Sequence, residues 1–158
     1  MVNEIKAASR ILKLRNHEFS IPDIYKRIKT KAEEMGYLVV EKEQTTKFTK
    51  YGQELKFDFY LDKEYDYFGK SEISLTVSFR EVQKVKGIEK GEIKIEIIGK
   101  QVLDYKNRWA NNSFNRFLFK IYLKIKKKEF LHKYTIKVGT EVSELYNYLK
   151  DGLEAYHP

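Results

Sequence analysis

Between Tyr37 and Tyr105 the chain keeps a rhythm of two. Leu55, Phe57, Phe59 and Leu61 alternate with Lys56, Asp58, Tyr60 and Asp62. Ile73, Leu75, Val77 and Phe79 alternate with Ser74, Thr76, Ser78 and Arg80, and Ile93, Ile95 and Ile97 with Lys94, Glu96 and Ile98. Each run reads as a strand buried on one face and wet on the other. With residues 37–50 they make four consecutive long strands joined by short turns that carry glycine, the pattern of an antiparallel meander. Residues 3–15 alternate more weakly. Ile5, Ala7, Ser9 and Ile11 share one parity and Leu12 and Leu14 the other, which predicts a first strand that changes face near Ile11, as at a bulge.

Elsewhere the period is helical. Ser20-Ile21-Pro22-Asp23 supplies a capping hydroxyl, a proline for the first turn and a capping-box acid. The stripe Ile21, Ile24, Tyr25, Ile28, Ala32 and Met35 follows, and Gly36 suits a left-handed stop, so a helix is predicted over 22–35. Phe114, Phe117, Leu118, Ile121, Tyr122 and Ile125 form a second stripe, over about 113–128. Arg116, Lys120, Lys124 and Lys127 lie mostly off it, and the lysines crowd the C-terminal turn, where the helix dipole favours cations. Tyr134, Ile136 and Val138 predict a short closing strand. Thr140 then caps a last helix with the stripe Val142, Leu145, Tyr146, Leu149, Leu153 and Tyr156, weakened near its end by Gly152.

Parity also constrains one turn. A two-residue loop at Gly69-Lys70 would set Asp66 opposite Ile73 and Asp62 opposite Val77, mixing charge into the apolar face. A shift of one residue removes the conflict. A three-residue loop or a bulge is therefore expected, with Gly69 at positive φ.

The predicted order is β-α-β-β-β-β-α-β-α in a single domain over residues 1–158. A curved antiparallel meander with helices packed on one face would bury every stripe, an α+β class. This order resembles the helix-grip architecture of START and Bet v1-like domains, where an early helical stretch and a long meander precede a C-terminal helix lying across the sheet. The resemblance is one of topology and rests on no motif. The helix around Phe117 departs from it.

Composition bounds the function. A chain of 158 residues buries enough surface to fold without metal or disulfide staples. Lys, Glu and Ile dominate, a usage that suits a heat-adapted protein and that an AT-rich genome also produces. There is no cysteine, so thiolate metal sites and disulfides are excluded. Residues 1–15 lack the apolar run of a signal peptide and nothing approaches a membrane span, so a cytoplasmic location is expected.

Charge is distributed unevenly. Residues 106–137 hold ten Lys or Arg against one acid, Glu129, a local +9; the remaining 21 bases and 22 acids come to −1. A cationic surface attracts phosphates, and exposed aromatics stack on single-stranded bases. The candidate residues for binding a polyanion (nucleic acid or an acidic protein surface) are Lys106, Arg108, Trp109, Arg116, Lys120, Lys124, Lys126, Lys127, Lys128 and Lys133. The ordinary alternative is a helix whose rings are core and whose lysines are its solvated face. Two further readings use the same helix: contact with an anionic membrane or lipid surface, for which Phe119 and Leu123 widen the apolar arc, and pairing of the aromatic stripe with a second copy as a homodimer.

Other constellations are weaker. Asp58, Asp62, Glu64 and Asp66 share one parity, which would suit a hard cation or a basic partner, though a solvated face of mixed charge accounts for them as well. Twenty-two Tyr and Phe, among them Tyr51, Tyr60, Tyr65 and Tyr67, allow an apolar small-molecule or lipid pocket between the sheet and the C-terminal helix; a filled core is the plainer account. His17, His132 and His157 have no metal-ligand spacing. Ser71, Ser74 and Ser78 lack a nucleophile elbow. Phe68-Gly69-Lys70-Ser71 ends like a phosphate loop, but Glu64 stands where that motif needs its first glycine. Glu54 and Glu81 are an acid–base pair of a kind any domain offers. No catalytic residue, cofactor or metal site is expected. The sequence points to a binding domain rather than an enzyme.

Overall fold

The computed structural model describes residues 3–66, 68–103 and 112–156. Lys106, Arg108, Trp109, Tyr67 and His157 lie outside the described residues, as do the side chains of Lys127 and His132. In chain order the elements are β1 (Asn3–Phe19), α1 (Ile21–Glu34), β2 (Leu38–Thr49), β3 (Gly52–Glu64), β4 (Gly69–Val85), β5 (Ile88–Leu103), α2 (Ser113–Ile125), α3 (Lys127–Phe130), a π-helical turn (Leu131–Thr135) and α4 (Ile136–Glu154).

The strands form one antiparallel sheet in the order β1-β5-β4-β3-β2. Their alternation becomes a dry face and a wet one. Ile73, Leu75, Val77 and Phe79 of β4 and Ile93, Ile95 and Ile97 of β5 are almost fully buried. α1 leaves β1 at one edge and delivers the chain to β2 at the other, packing Ile24, Ile28 and Ala32 into the core. α4 lies along β1 and β5 and beside α1, with Val138, Val142, Leu145, Leu149 and Leu153 buried. It approaches β5 closely at Gly99, where a Cβ would meet Val142 Cγ2 at 2.5 Å. The architecture is α+β, a single domain, as the pattern predicts.

The ends of α1 follow their sequence signals. The Ser20 hydroxyl accepts the Asp23 N–H at 3.3 Å. Gly36 turns left-handed at φ 90°, and the Gly36 and Tyr37 N–H groups reach the Glu33 and Ala32 carbonyls at 3.0 and 2.9 Å, closing the orphan acceptors of the last turn.

Five expectations need correction. β1 runs on to Phe19, and its two register shifts, at Lys6/Ala8 and Leu14/His17, flank Ile11 instead of falling on it; Ile11 simply faces out. The closing strand at Tyr134–Val138 does not form. Those residues are helical, because Tyr134, Val138 and Val142 recur at four-residue spacing on the buried side while Ile136 is exposed. Thr140 is therefore inside α4 and not its cap; its hydroxyl bonds back to the Ile136 carbonyl at 2.8 Å.

The β3–β4 turn has the predicted parity and a three-residue loop, but the loop ends before Gly69 and the register lies further from a Gly69-Lys70 hairpin than the one-residue shift expected. Leu61 pairs with Ile73 and Asp62 with Glu72, and the Tyr65 N–H reaches the Gly69 carbonyl at 3.0 Å. The last correction is Gly69, which is not among the positive-φ glycines. Its glycine serves another need: a Cβ there would overlap the Tyr134 ring.

At the opposite end of the sheet two bulges flank β5, one in β1 between Leu14 and His17 and one in β4 between Arg80 and Gln83, the latter also shifting the register against β3 at Gln53/Leu55. Asn16 and Glu81 take positive φ there, 49° and 54°, and bulges of this kind bend a strand and sharpen its twist. Gly91 faces the bulged β4, where a Cβ would lie 2.7 Å from the Arg80 carbonyl oxygen.

Candidate functional site

α2 begins at Asn112, whose side-chain oxygen accepts the Asn115 N–H at 2.8 Å, and carries Lys124 in its last turn. It is fastened to the body by its minor apolar face. Phe119, 3% exposed, enters a small second core with Phe68, Leu103 and Tyr134, with Leu123 packed against it. The Phe119 and Phe68 rings meet edge to face at 5.9 Å, a favoured aromatic geometry.

The main stripe faces outward. Phe114 is 68% exposed, Phe117 60% and Ile125 72%, and Leu118, Ile121 and Tyr122 are exposed beside them. This reverses the ordinary reading of the helix, in which these rings are core. At 100° per residue, Phe119 and Leu123 lie on nearly the opposite side of the helix from the stripe, so only one face can be buried. The covered face of the sheet is already occupied by α1 and α4, and the second core admits two side chains of α2.

The cations sort into two groups. Lys133 and Lys126 are answered within the molecule, Lys133 by Asp66 at 3.1 Å and Lys126 by Glu129 at 3.4 Å. Arg116, Lys120, Lys124 and Lys128 are exposed. Lys120, Lys124 and Lys128 enter no ion pair among the described residues. Lys120 and Lys124 stand one turn apart on one margin of the apolar stripe, with Lys126 towards the other.

Asp66 ties this region to the sheet. Its carboxylate accepts the Phe68 and Gly69 N–H groups at 2.9 and 2.8 Å and the Tyr134 hydroxyl at 2.8 Å, besides Lys133. Burial opposes its charge, but these donors outweigh that and hold its pKa down at about 2. Burial, followed by the Asp66 carboxylate, pushes the Tyr134 hydroxyl up to about 12.

Of the other acids on the acidic parity of β3, Glu64 is exposed, while Asp58 and Asp62 are answered internally. Asp58 accepts the Thr76 hydroxyl at 2.8 Å and Asp62 lies 3.3 Å from Lys70, which Glu72 shares at 3.1 Å. Among the described residues no group of acids or histidines is arranged to hold a metal ion. His17 donates from Nε2 to the Leu153 carbonyl at 2.7 Å, a bond between β1 and the end of α4.

One cluster was missed by sequence reasoning. Tyr37 and Ser71 share a buried hydrogen bond of 2.6 Å. Beside them the Tyr65 hydroxyl donates to Glu141 at 2.7 Å, and the Lys63 ammonium lies 3.4 Å from Glu141 and donates to the Met35 carbonyl at 2.8 Å. Desolvation raises the pKa of both tyrosines, and Glu141 raises that of Tyr65 further. The available signal was parity: Lys63 falls in step with Phe59 and Leu61, on the covered face. The cluster clasps α4 to the end of α1 and to β3.

Between α1, α4 and the sheet, the recess lined by Phe19, Ile24, Ile95, Leu149 and Leu153 measures about 10 Å³, room for at most one water. The aromatics suspected of lining a pocket are dispersed. Tyr51 is exposed, Tyr60 lies under the Lys42 ammonium at 4.7 Å, and Tyr65 belongs to the cluster around Glu141. A larger groove, of about 460 Å³, opens at the bulged end of the sheet and is lined by side chains of both charges, among them Arg15, Lys90, Glu81 and Glu92.

No protein-family model matches this chain, and none of the curated proteins matches its sequence. Among the described residues no helix is long and apolar enough to cross a membrane.

Proposed function

We propose that this is a non-catalytic binding domain that engages a polyanion through the basic region 106–137. The sheet with α1 and α4 forms a rigid frame of helix-grip type, in a cytoplasmic protein, and α2 is the working surface. One observation carries the reading: Lys120, Lys124 and Lys128 stand exposed on a segment whose single acid, Glu129, is engaged with Lys126. Lys126 and Lys133, held by acids of the same molecule, contribute less than their sequence position suggests. The apolar-ligand alternative draws no support from the recess under α4, which holds no more than a water.

Retention on immobilised heparin tests this. The protein binds at low salt and elutes as salt rises, because binding releases counterions. Changing Lys120, Lys124 and Lys128 together to Glu abolishes retention, whereas Lys133→Ala shifts elution only slightly. Passage of the unaltered protein through the column at low salt refutes the proposal.

A further inference from the structure

The apolar stripe of α2 requires its own partner. A polyanion alone answers the lysines and leaves Phe117, Leu118, Ile121 and Ile125 in water. Leu118, Ile121 and Ile125 present no ring to stack on a base, so a nucleic acid covers neither their area nor their chemistry. A second copy of this chain would cover the area by apposing two identical surfaces. It would also bring Lys120, Lys124 and Lys128 of each copy against the same cations of the other, and like charges facing one another weaken association.

An anionic bilayer satisfies both halves of the surface. It offers a hydrocarbon boundary for bulky apolar side chains and phosphates for the lysines at the margin. α2 has 13 residues, about 20 Å of helix, too short to span the hydrocarbon but ample to lie along it. Its attachment through Phe119 and Leu123 holds the stripe pointing away from the body.

Resting on the polyanion reading above, we infer that α2 docks flat on an anionic membrane surface, with Phe114, Phe117, Ile121 and Ile125 entering the acyl boundary and Lys120 and Lys124 meeting lipid phosphates. Body and membrane thus occupy opposite sides of one helix. The frame under α4 keeps its own core closed and contributes no lipid-binding surface.

Co-sedimentation with vesicles tests this on the full chain. Vesicles of phosphatidylcholine with about 30% phosphatidylserine pull the protein down, while pure phosphatidylcholine binds it at least about tenfold less, since each lysine near an anionic surface is worth roughly a fivefold change. Phe117→Ser with Ile121→Ser and Ile125→Ser abolishes sedimentation yet leaves heparin retention and thermal unfolding unchanged. Heparin retention without sedimentation overturns the membrane inference and leaves the polyanion reading standing. Failure on both supports removes both. If light scattering shows a dimer that the triple serine variant dissociates, the stripe belongs to a second copy and the inference is wrong.

Discussion

α4 and α2 are both amphipathic helices with an unbroken apolar stripe, and they use it in opposite ways. The five large stripe residues of α4 from Val138 to Leu153 are at most 4% exposed, whereas Phe117 and Ile125 of α2 are 60% and 72% exposed. α4 meets the covered face of β1 and β5 and the flank of α1, an area large enough to take its whole stripe. Among the described residues α2 meets the small second core of Phe68, Leu103 and Tyr134, at the corner where β4 begins and β5 ends, and there Phe119 and Leu123 suffice. Amphipathicity thus declares that a helix has a face to cover. What covers it is decided by how much apolar surface the rest of the fold still leaves open. In this molecule α4 and α1 consume it, and α2 is left with an outward stripe bordered by lysines.

The comparison is broken most severely by removing packing under α4. Leu145 is completely buried between that helix and the sheet. Leu145→Ala deletes buried methyl groups and leaves a cavity, at a loss of about 2–5 kcal/mol. Urea unfolding checks it: the midpoint falls while the slope with denaturant stays constant. A midpoint that does not move would mean that α4 is not docked as described.

Much of the fold was legible because the signals are local. Ser20, Pro22 and Gly36 mark α1 at both ends without reference to the rest of the chain. The parity of the β3–β4 pairing, though not its exact register, followed from keeping Asp62 off the face of Ile73 and Val77, and Leu61 does pair with Ile73. The segment around Tyr134 was not legible. Tyr134, Ile136 and Val138 fit a strand when read alone, and only Val142, four residues further, continues the helical series that wins. Gly69 failed for another reason. It is demanded by a ring 65 residues away, and no local rule contains that information. The candidate surface was half legible: the lysines that cluster in sequence are partly exposed, but the outward turn of α2 depends on α1 and α4 having already filled the sheet.

A smaller effect concerns the joint between the two regions. Asp66 accepts hydrogen bonds from Gly69, Phe68 and Tyr134 and an ion pair from Lys133, and its folded pKa is about 2, against roughly 4 in an unfolded chain. A depressed carboxylate favours the fold when ionised. Its contribution is therefore complete above pH about 4 and is lost as pH falls towards 2, with a limit of about 2 kcal/mol. Asp66→Asn should unfold more easily than the parent at neutral pH by up to that amount. The gap between the two should narrow steadily between pH about 4 and 2. Burial also opposes the charge of Glu72, but the Tyr60 hydroxyl and Lys70 hold its carboxyl below the ordinary range, so the measurement is the difference between the two proteins and not either curve alone. A gap that stays constant with pH would show that the loss comes from packing or geometry and not from the charge.

The smallest expected effect is also the one that most sharply separates α2 from α4. Phe117→Ser and Ile125→Ser remove large apolar groups that water already reaches in the folded chain, so little burial is forfeited and each change should alter stability by no more than about 0.5 kcal/mol. Urea unfolding at low protein concentration gives the number directly. A loss comparable to that of Leu145→Ala would place these side chains in a packed interior after all. If such a loss appeared only at high protein concentration, association between copies would be covering the stripe, because binding that favours the folded form raises apparent stability by mass action. A result near zero at every concentration leaves the stripe uncovered in the isolated chain, which is the condition a surface needs if it is to be completed by something other than its own molecule.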